Sequence, residues 1–224
     1  MTASILGEQQ SLTATPPKRI PELWFSIDVE ASGTSPSVGS LLSIGACLVT
    51  NPGVTFYVEI QPEPTKPWDP EAEAVHGLTK EYLAANGHTP KEAMESFFAW
   101  VKGLKMGYTY RPVFVGWNAS FDWMFTDYAF HKFVSNEFFA PYKAKDKWVR
   151  KNPFGIAGLD LKAAYLGKHW QDGVREWRAT AKSEVTQRYA LLDYAHSHNA
   201  LEDAQEQAEL CRQIFDIPKV QPLL

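Results

Sequence analysis

The sequence predicts an α/β domain: a mixed sheet, with an antiparallel three-strand meander extended by parallel strands, flanked by helices. Three observations predict it. Strand-like alternation opens the folded region, strand and helix patterns then alternate, and the last periodic segment is a long amphipathic helix.

Residues 1–21 are rich in Ser, Thr, Gln and Pro and have no apolar period, so they read as a flexible tail. A single domain is expected over residues 22–218, with a short tail at 219–224. Leu23, Phe25, Ile27 and Val29 alternate with Trp24, Ser26, Asp28 and Glu30, the spacing of a first strand. Apolar runs from Leu41 to Val49 and from Val54 to Ile60 flank Asn51-Pro52-Gly53, a strand–turn–strand signal that completes the meander. Thr89-Pro90-Lys91-Glu92 is a capping-box helix start with proline at the first position, followed by Phe97, Trp100, Val101 and Leu104 at helical spacing. Val113 to Val115 reads as a buried strand, after which Asn118 is placed to cap a helix from about Ala119 to Phe133. Ser135 to Asn152 is loop-like and basic. A short helix is expected after Leu159-Asp160-Leu161, then a charged helical region near Arg175 to Tyr194. The last helix runs from about Ala200 to Phe215, with Pro218 as its stop.

With 45% hydrophobic and 13% aromatic residues, the chain is neither disordered nor fibrous. Its apolar runs are too short to span a bilayer, and its start lacks a signal-peptide pattern, so a cytoplasmic location and no membrane partner are expected. Cys47 and Cys211 sit in apolar settings and are expected to be free buried thiols. A net charge of −4 argues against coating long duplex nucleic acid. It does not argue against trimming strand ends, because an end threaded into a cleft needs few phosphate contacts, and clustered carboxylates are neutralised by bound cations.

The acidic residues carry the chemistry. Asp28 and Glu30, two apart on a strand, point to one face at the edge of a core. Carboxylates so placed repel and resist desolvation unless a cation binds them, and all-oxygen donors suit Mg²⁺ or Mn²⁺. Alone, such a pair is also a common accident at a strand end. Asp122 lies in the first turn of a helix behind a buried strand, where the helix dipole also favours an acid. His198 precedes the final helix and Asp203 lies about a turn inside it, so both can face one cleft, although each alone would pass for a surface residue.

Together, the strand-end Asp28-Val29-Glu30, the helix-opening Phe121-Asp122 and the H-x-A-x-x-D of His198 to Asp203 resemble the DEDDh 3′–5′ exonuclease family, which includes ribonuclease T and the proofreading subunit of bacterial replicative DNA polymerase. Ser43-Ile44-Gly45-Ala46, His76-Gly77-Leu78-Thr79, Asn118 and Leu159-Asp160 agree, and the resemblance covers Leu23 to Phe215. It implies a ribonuclease H-like fold and a hydrolase that removes nucleoside 5′-monophosphates from single-stranded 3′ ends. Asp28, Glu30, Asp122 and Asp203 would hold two Mg²⁺ or Mn²⁺ ions roughly 3.5–4 Å apart, and His198 would take a proton from the attacking water. Substrate contacts are implied at Ser32, Gly33, His76, Trp117, Asn118 and Phe121, and a homodimer is compatible with the family. The chain departs from the family where relatives carry threonines after the first glutamate, at Ala31-Ser32, and a glutamate at the place of Ser43. These departures bear on substrate preference more than on chemistry.

Other readings of these residues remain. Trp117 and Phe121 are candidates for stacking on bases, although the aromatics here fit a core better, and Lys145, Lys147, Trp148 and Arg150 could guide a phosphate backbone or line a solvated loop. A zinc hydrolase is disfavoured because the six histidines include no H-x-x-x-H pair. An inactive exonuclease fold that only binds nucleic acid is the rival from another class, yet no metal ligand is missing.

Overall fold

The computed structural model describes residues 20–107, 109–143, 151–191 and 198–219. The strands are β1 (Glu22–Ala31), β2 (Leu41–Leu48), β3 (Thr55–Glu59), β4 (Arg111–Gly116) and β5 (Leu159–Asp160), in the spatial order β3-β2-β1-β4-β5. β1, β2 and β3 form the expected antiparallel meander, and β4 and β5 extend it in parallel.

Helices cover both faces. α3 (Pro90–Gly103) and α4 (Ser120–Phe133) pack on the face carrying Phe25, Ile27 and Val29, where Phe97, Phe114, Phe130 and Phe154 fill an aromatic core. α6 (Leu161–Lys168), α7 (Lys182–Arg188) and α8 (Ala200–Phe215) enclose a second apolar cluster that includes Val115, Tyr165, Val185 and Leu210. Because alternate strand residues face opposite ways, the side of β1 that buries phenylalanine turns Asp28 and Glu30 toward α8.

Several elements match their sequence signals. Thr89 accepts from the Glu92 amide while Glu92 reaches back to the Thr89 amide, the reciprocal capping box. Asp160 caps α6 through the Ala163 amide at 3.0 Å, and α8 begins at Asn199, whose side chain accepts from Leu201 and Glu202. Both cysteines are buried and free. α8 ends at Asp216, in a left-handed conformation, two residues before Pro218.

Other elements differ. α1 (Pro70–His76) and α2 (Lys80–Asn86) are short helices set by caps, Asp69 and Thr79, rather than by an apolar period. Asn118 does not cap α4: it takes a left-handed φ of 59° and its carbonyl accepts from the Phe121 amide, so the helix starts behind a turn with no side-chain cap. A further helix, α5 (Ala140–Lys143), interrupts the stretch expected to be loop. The charged region after residue 175 contains a 3-10 turn (Trp177–Thr180) and α7. Lys145, Lys147, Trp148 and Arg150, together with residues 192–197, lie outside the described residues. Among the described residues no helix is long and apolar enough to cross a membrane.

Candidate active site

The site forms where the sheet opens. β1 and β4 pair in parallel as far as Ser26 and Val115, then part. That leaves main-chain groups of β1 to be satisfied by side chains. The Val29 amide donates to Asp122 Oδ1 at 3.0 Å, and the Ile27 carbonyl accepts from Gln207 Nε2 at 3.1 Å. Gln207 also accepts, through its side-chain oxygen, from the Trp117 amide just past β4. The cleft thus ties α4 to Val29 and α8 to Ile27, two residues apart on β1.

Gly45 sets the depth of α8. It is the register partner of Asp28 on β2. A Cβ built there would lie 2.1 Å from the Ala200 carbonyl carbon and 2.2 Å from the Leu201 nitrogen, so only glycine admits the helix start this close. α8 is held there by Gln207 and by Arg212, which donates to the Val49 carbonyl at 2.6 Å.

This seating brings three carboxylates together. Asp28, Glu30 and Asp203 offer oxygen atoms that all lie within 4.8 Å of one another. Asp122, only 4% exposed, stands outside that triangle but close enough to Asp28 to feel its charge. Burial lifts the Asp28 carboxyl to about 7; the Lys182 ammonium opposes this, while Asp203 and Glu206 add to it. Burial, reinforced by Asp28 and Asp203 against Lys182, lifts Glu30 to about 9. Asp122 is raised well above the ordinary range by burial and by Asp28. Carboxylates crowded and buried together are costly to ionise unless a cation joins them, and this all-oxygen donor set fits a hard divalent ion.

Lys182 and Glu206 are members of this cluster that the sequence did not single out. Lys182 Nζ lies 2.9 Å from Asp203 Oδ1 and 2.7 Å from Glu206 Oε2. Glu206 is 2% exposed and also accepts from Thr186 Oγ1 at 3.2 Å. A signal for Glu206 existed: Asp203, Glu206 and Gln207 interrupt the face of α8 that buries Ala200, Ala204 and Ala208. Lys182 carried none, being one charge in a charged stretch.

His198 is exposed at the lip of α8, with a left-handed φ of 50°. Its charge acts on His76, which is 9% exposed and whose Nδ1 accepts from the Leu78 amide at 3.0 Å. Burial lowers the His76 pKa, and His198 lowers it further against Glu73. The remaining expected contacts divide. Asn118 is exposed on the turn before α4, while Trp117 packs toward Tyr165 and Phe121 against Phe125. Ser32 is buried and its Oγ accepts from the Ser40 amide at 2.8 Å; a Cβ on Gly33 would meet the Val38 carbonyl at 2.8 Å. Both therefore brace the loop after β1 in this structure.

Comparison with known proteins decides the family. The sequence model of the 3′–5′ exoribonuclease Rv2179c-like domain matches residues 24–215, nearly all of the described chain. The chain belongs to the Rv2179c-like exonuclease family. A curated relative, the 3′–5′ DNA exonuclease Cap18 of Escherichia coli, is 39% identical over 194 residues, covering 86% of this chain and 91% of the relative. The nuclease domain of 3′hExo, a DEDDh family member solved with rAMP, superposes with a TM-score of 0.60 at 16% identity, covering 90% of this chain and 96% of that one. E. coli exonuclease I bound to a dT13 oligonucleotide gives 0.62 at 15% identity, covering 86% of this chain and 41% of that larger one. At such identities these structures establish the shared ribonuclease H-like fold. Family and relative agree on one activity, so this Rv2179c-like chain is a 3′–5′ exonuclease, a hydrolase acting on nucleic acid.

Proposed function

We propose that this Rv2179c-like domain, spanning residues 22–218, hydrolyses the terminal phosphodiester bond at single-stranded 3′ ends and releases nucleoside 5′-monophosphates. Two Mg²⁺ or Mn²⁺ ions would be held by Asp28, Glu30, Asp122 and Asp203. The observation that carries this reading is the meeting of Asp28 and Glu30 of β1 with the sequence-distant Asp203 of α8, their oxygens all within 4.8 Å of one another. Bound divalent ions would supply Lewis-acid stabilisation of the charge that develops on the phosphate.

The chain's own groups do the rest. Asp28, fixed on β1 opposite Gly45, faces Asp203 on α8. Asp122 is oriented by the Val29 amide, which donates to its Oδ1. His198, exposed on a left-handed turn, would accept the proton of the attacking water, a role suited to an imidazole near neutral pH. His76 receives a hydrogen bond at Nδ1, so its neutral ring carries the proton on Nε2, a donor for a substrate oxygen beside His198. Asn118 and Phe121, flanking Asp122 on the turn and first helical residues, would line the path of the terminal nucleotide.

The family is described by RNA and the 39% identical relative by DNA, so the sugar is part of the test. Matched single-stranded RNA, single-stranded DNA and duplex substrates, incubated with Mg²⁺, Mn²⁺ or EDTA, should lose mononucleotides from labelled single-stranded 3′ ends only when metal is present. Release that persists in EDTA, or that starts from the 5′ end, would overturn the proposal. A homodimer is compatible with this reading, and sedimentation of the full chain tests it.

A further inference from the structure

We propose that Lys182 is a resident cation of the acidic site, one that competes with the incoming divalent ion for Asp203 and retires onto Glu206 when the ion binds. The inference rests on the metal-binding reading above and adds a residue that reading does not contain.

The position of Lys182 is built from both sides. It is the first residue of α7, set directly behind the 3-10 turn of Trp177–Thr180, so its backbone is anchored where the two short helices meet. Its ammonium touches two acids of different standing, Asp203 at 2.9 Å and Glu206 at 2.7 Å. Asp203 belongs to the three-carboxylate triangle; Glu206 does not. Glu206 lies one turn further along α8, is 2% exposed, and has its other oxygen on Thr186, itself one turn along α7 from Lys182. Two side chains of α7 therefore meet one buried acid of α8.

A buried carboxylate with no ligand role needs a permanent cation partner, because an unpaired buried charge is costly. Lys182 is that partner. Asp203 is the shared group: the ammonium occupies one of its oxygens, the same atom type a divalent ion requires. When an ion takes Asp203, the lysine keeps Glu206, stays in the cleft, and remains a positive charge beside the reacting phosphate. Such a residue is a positioning group for the metal before it is anything else. Its removal should raise metal affinity, because the competitor and its repulsion disappear together. A residue with a purely structural role would lower affinity or leave it unchanged.

The test is isothermal titration of Mn²⁺ into the full chain at pH 8, without nucleic acid, for wild type, Lys182→Met and Lys182→Arg. Lys182→Met should bind Mn²⁺ at least about tenfold more tightly, since unit charges a few ångströms apart interact strongly in a partly buried site. Lys182→Arg keeps the charge and should stay within about twofold of wild type. Circular dichroism establishes that each variant is folded, and Lys182→Ala replaces the methionine variant if that one is not. Equal affinity in wild type and the neutral variant, or an equal rise in Lys182→Arg, overturns the role of Lys182 and leaves the metal site standing. A wild-type chain that binds no Mn²⁺ overturns both.

Discussion

Replacing Gly45 with alanine adds one methyl group where the sheet has no room for it. The new Cβ would sit 2.1 Å from the Ala200 carbonyl carbon and 2.2 Å from its oxygen. Ordinary carbon contacts are about 3.5–4.0 Å, so the start of α8 must withdraw by more than about 1 Å. The three nearest atoms are all backbone of the α8 start, so no side chain can swing away to absorb the strain. His198 and Asp203 ride on that helix start, and Asp28 is the register partner of residue 45. The substitution should therefore pull Asp203 out of the carboxylate triangle while costing about 1–3 kcal/mol of stability through overpacking. Misplacing catalytic groups by about 1 Å can cost on the order of 100-fold in rate. Turnover on a 5′-labelled oligonucleotide, with chemical denaturation measured alongside, separates the two effects. Gly167→Ala in α6 is the control: its Cβ meets nothing within 4 Å, and it should gain up to about 1 kcal/mol with unchanged turnover. A Gly45→Ala protein that is folded and as fast as wild type would refute the claim that this glycine seats the site.

Three other outcomes are expected. Asp28→Ala should abolish release of mononucleotides, whereas His198→Ala should bind Mn²⁺ as wild type does and slow turnover by about 10²–10⁴-fold, as read by calorimetry and single-turnover kinetics. In EDTA, the melting temperature should fall as pH rises from about 4 toward 9. Asp28 and Glu30 keep their protons to about 7 and 9 in the fold but lose them near the ordinary carboxylate range when unfolded, so the folded state binds more protons across that window and a few kcal/mol of stability are lost through it. Saturating Mg²⁺ should restore the melting temperature most at the alkaline end, and a flat profile in EDTA would contradict the assigned burial of these acids. Gln207→Leu leaves the Ile27 carbonyl and the Trp117 amide without their partner, so it should cost about 1–3 kcal/mol in denaturant unfolding.

The sheet was legible because its signals are local. Alternation in β1 and the Asn51-Pro52-Gly53 turn specify the meander, the Thr89 capping box specifies where α3 begins, and Pro218 marks the stop of α8. α1 and α2 were not anticipated because each is only 7 residues long and buries a single side chain, so no apolar period develops. Asn118 misled for a physical reason: asparagine is favoured both as a helix cap and in the left-handed turn it occupies here. In the site, spacing placed Asp28 and Glu30 on one face of β1, whereas their meeting with Asp203 was expected only from the resemblance to the exonuclease family. Lys182 does not, because its relevance arises only when α7 lies across α8. Gly45 belonged to the family-like strand in the sequence, but its purpose shows only in the 2.1 Å approach to Ala200.

The proposed two-metal site requires that the acids of β1, α4 and α8 jointly hold divalent ions at the point of cleavage. Anomalous diffraction at the manganese edge, from crystals soaked in Mn²⁺ and a nucleoside 5′-monophosphate, tests it most directly. Manganese peaks bounded by Asp28, Glu30 and Asp203, with the nucleotide phosphate against them, are the expected result. Peaks confined to other surfaces, in a protein that still trims 3′ ends, would contradict it.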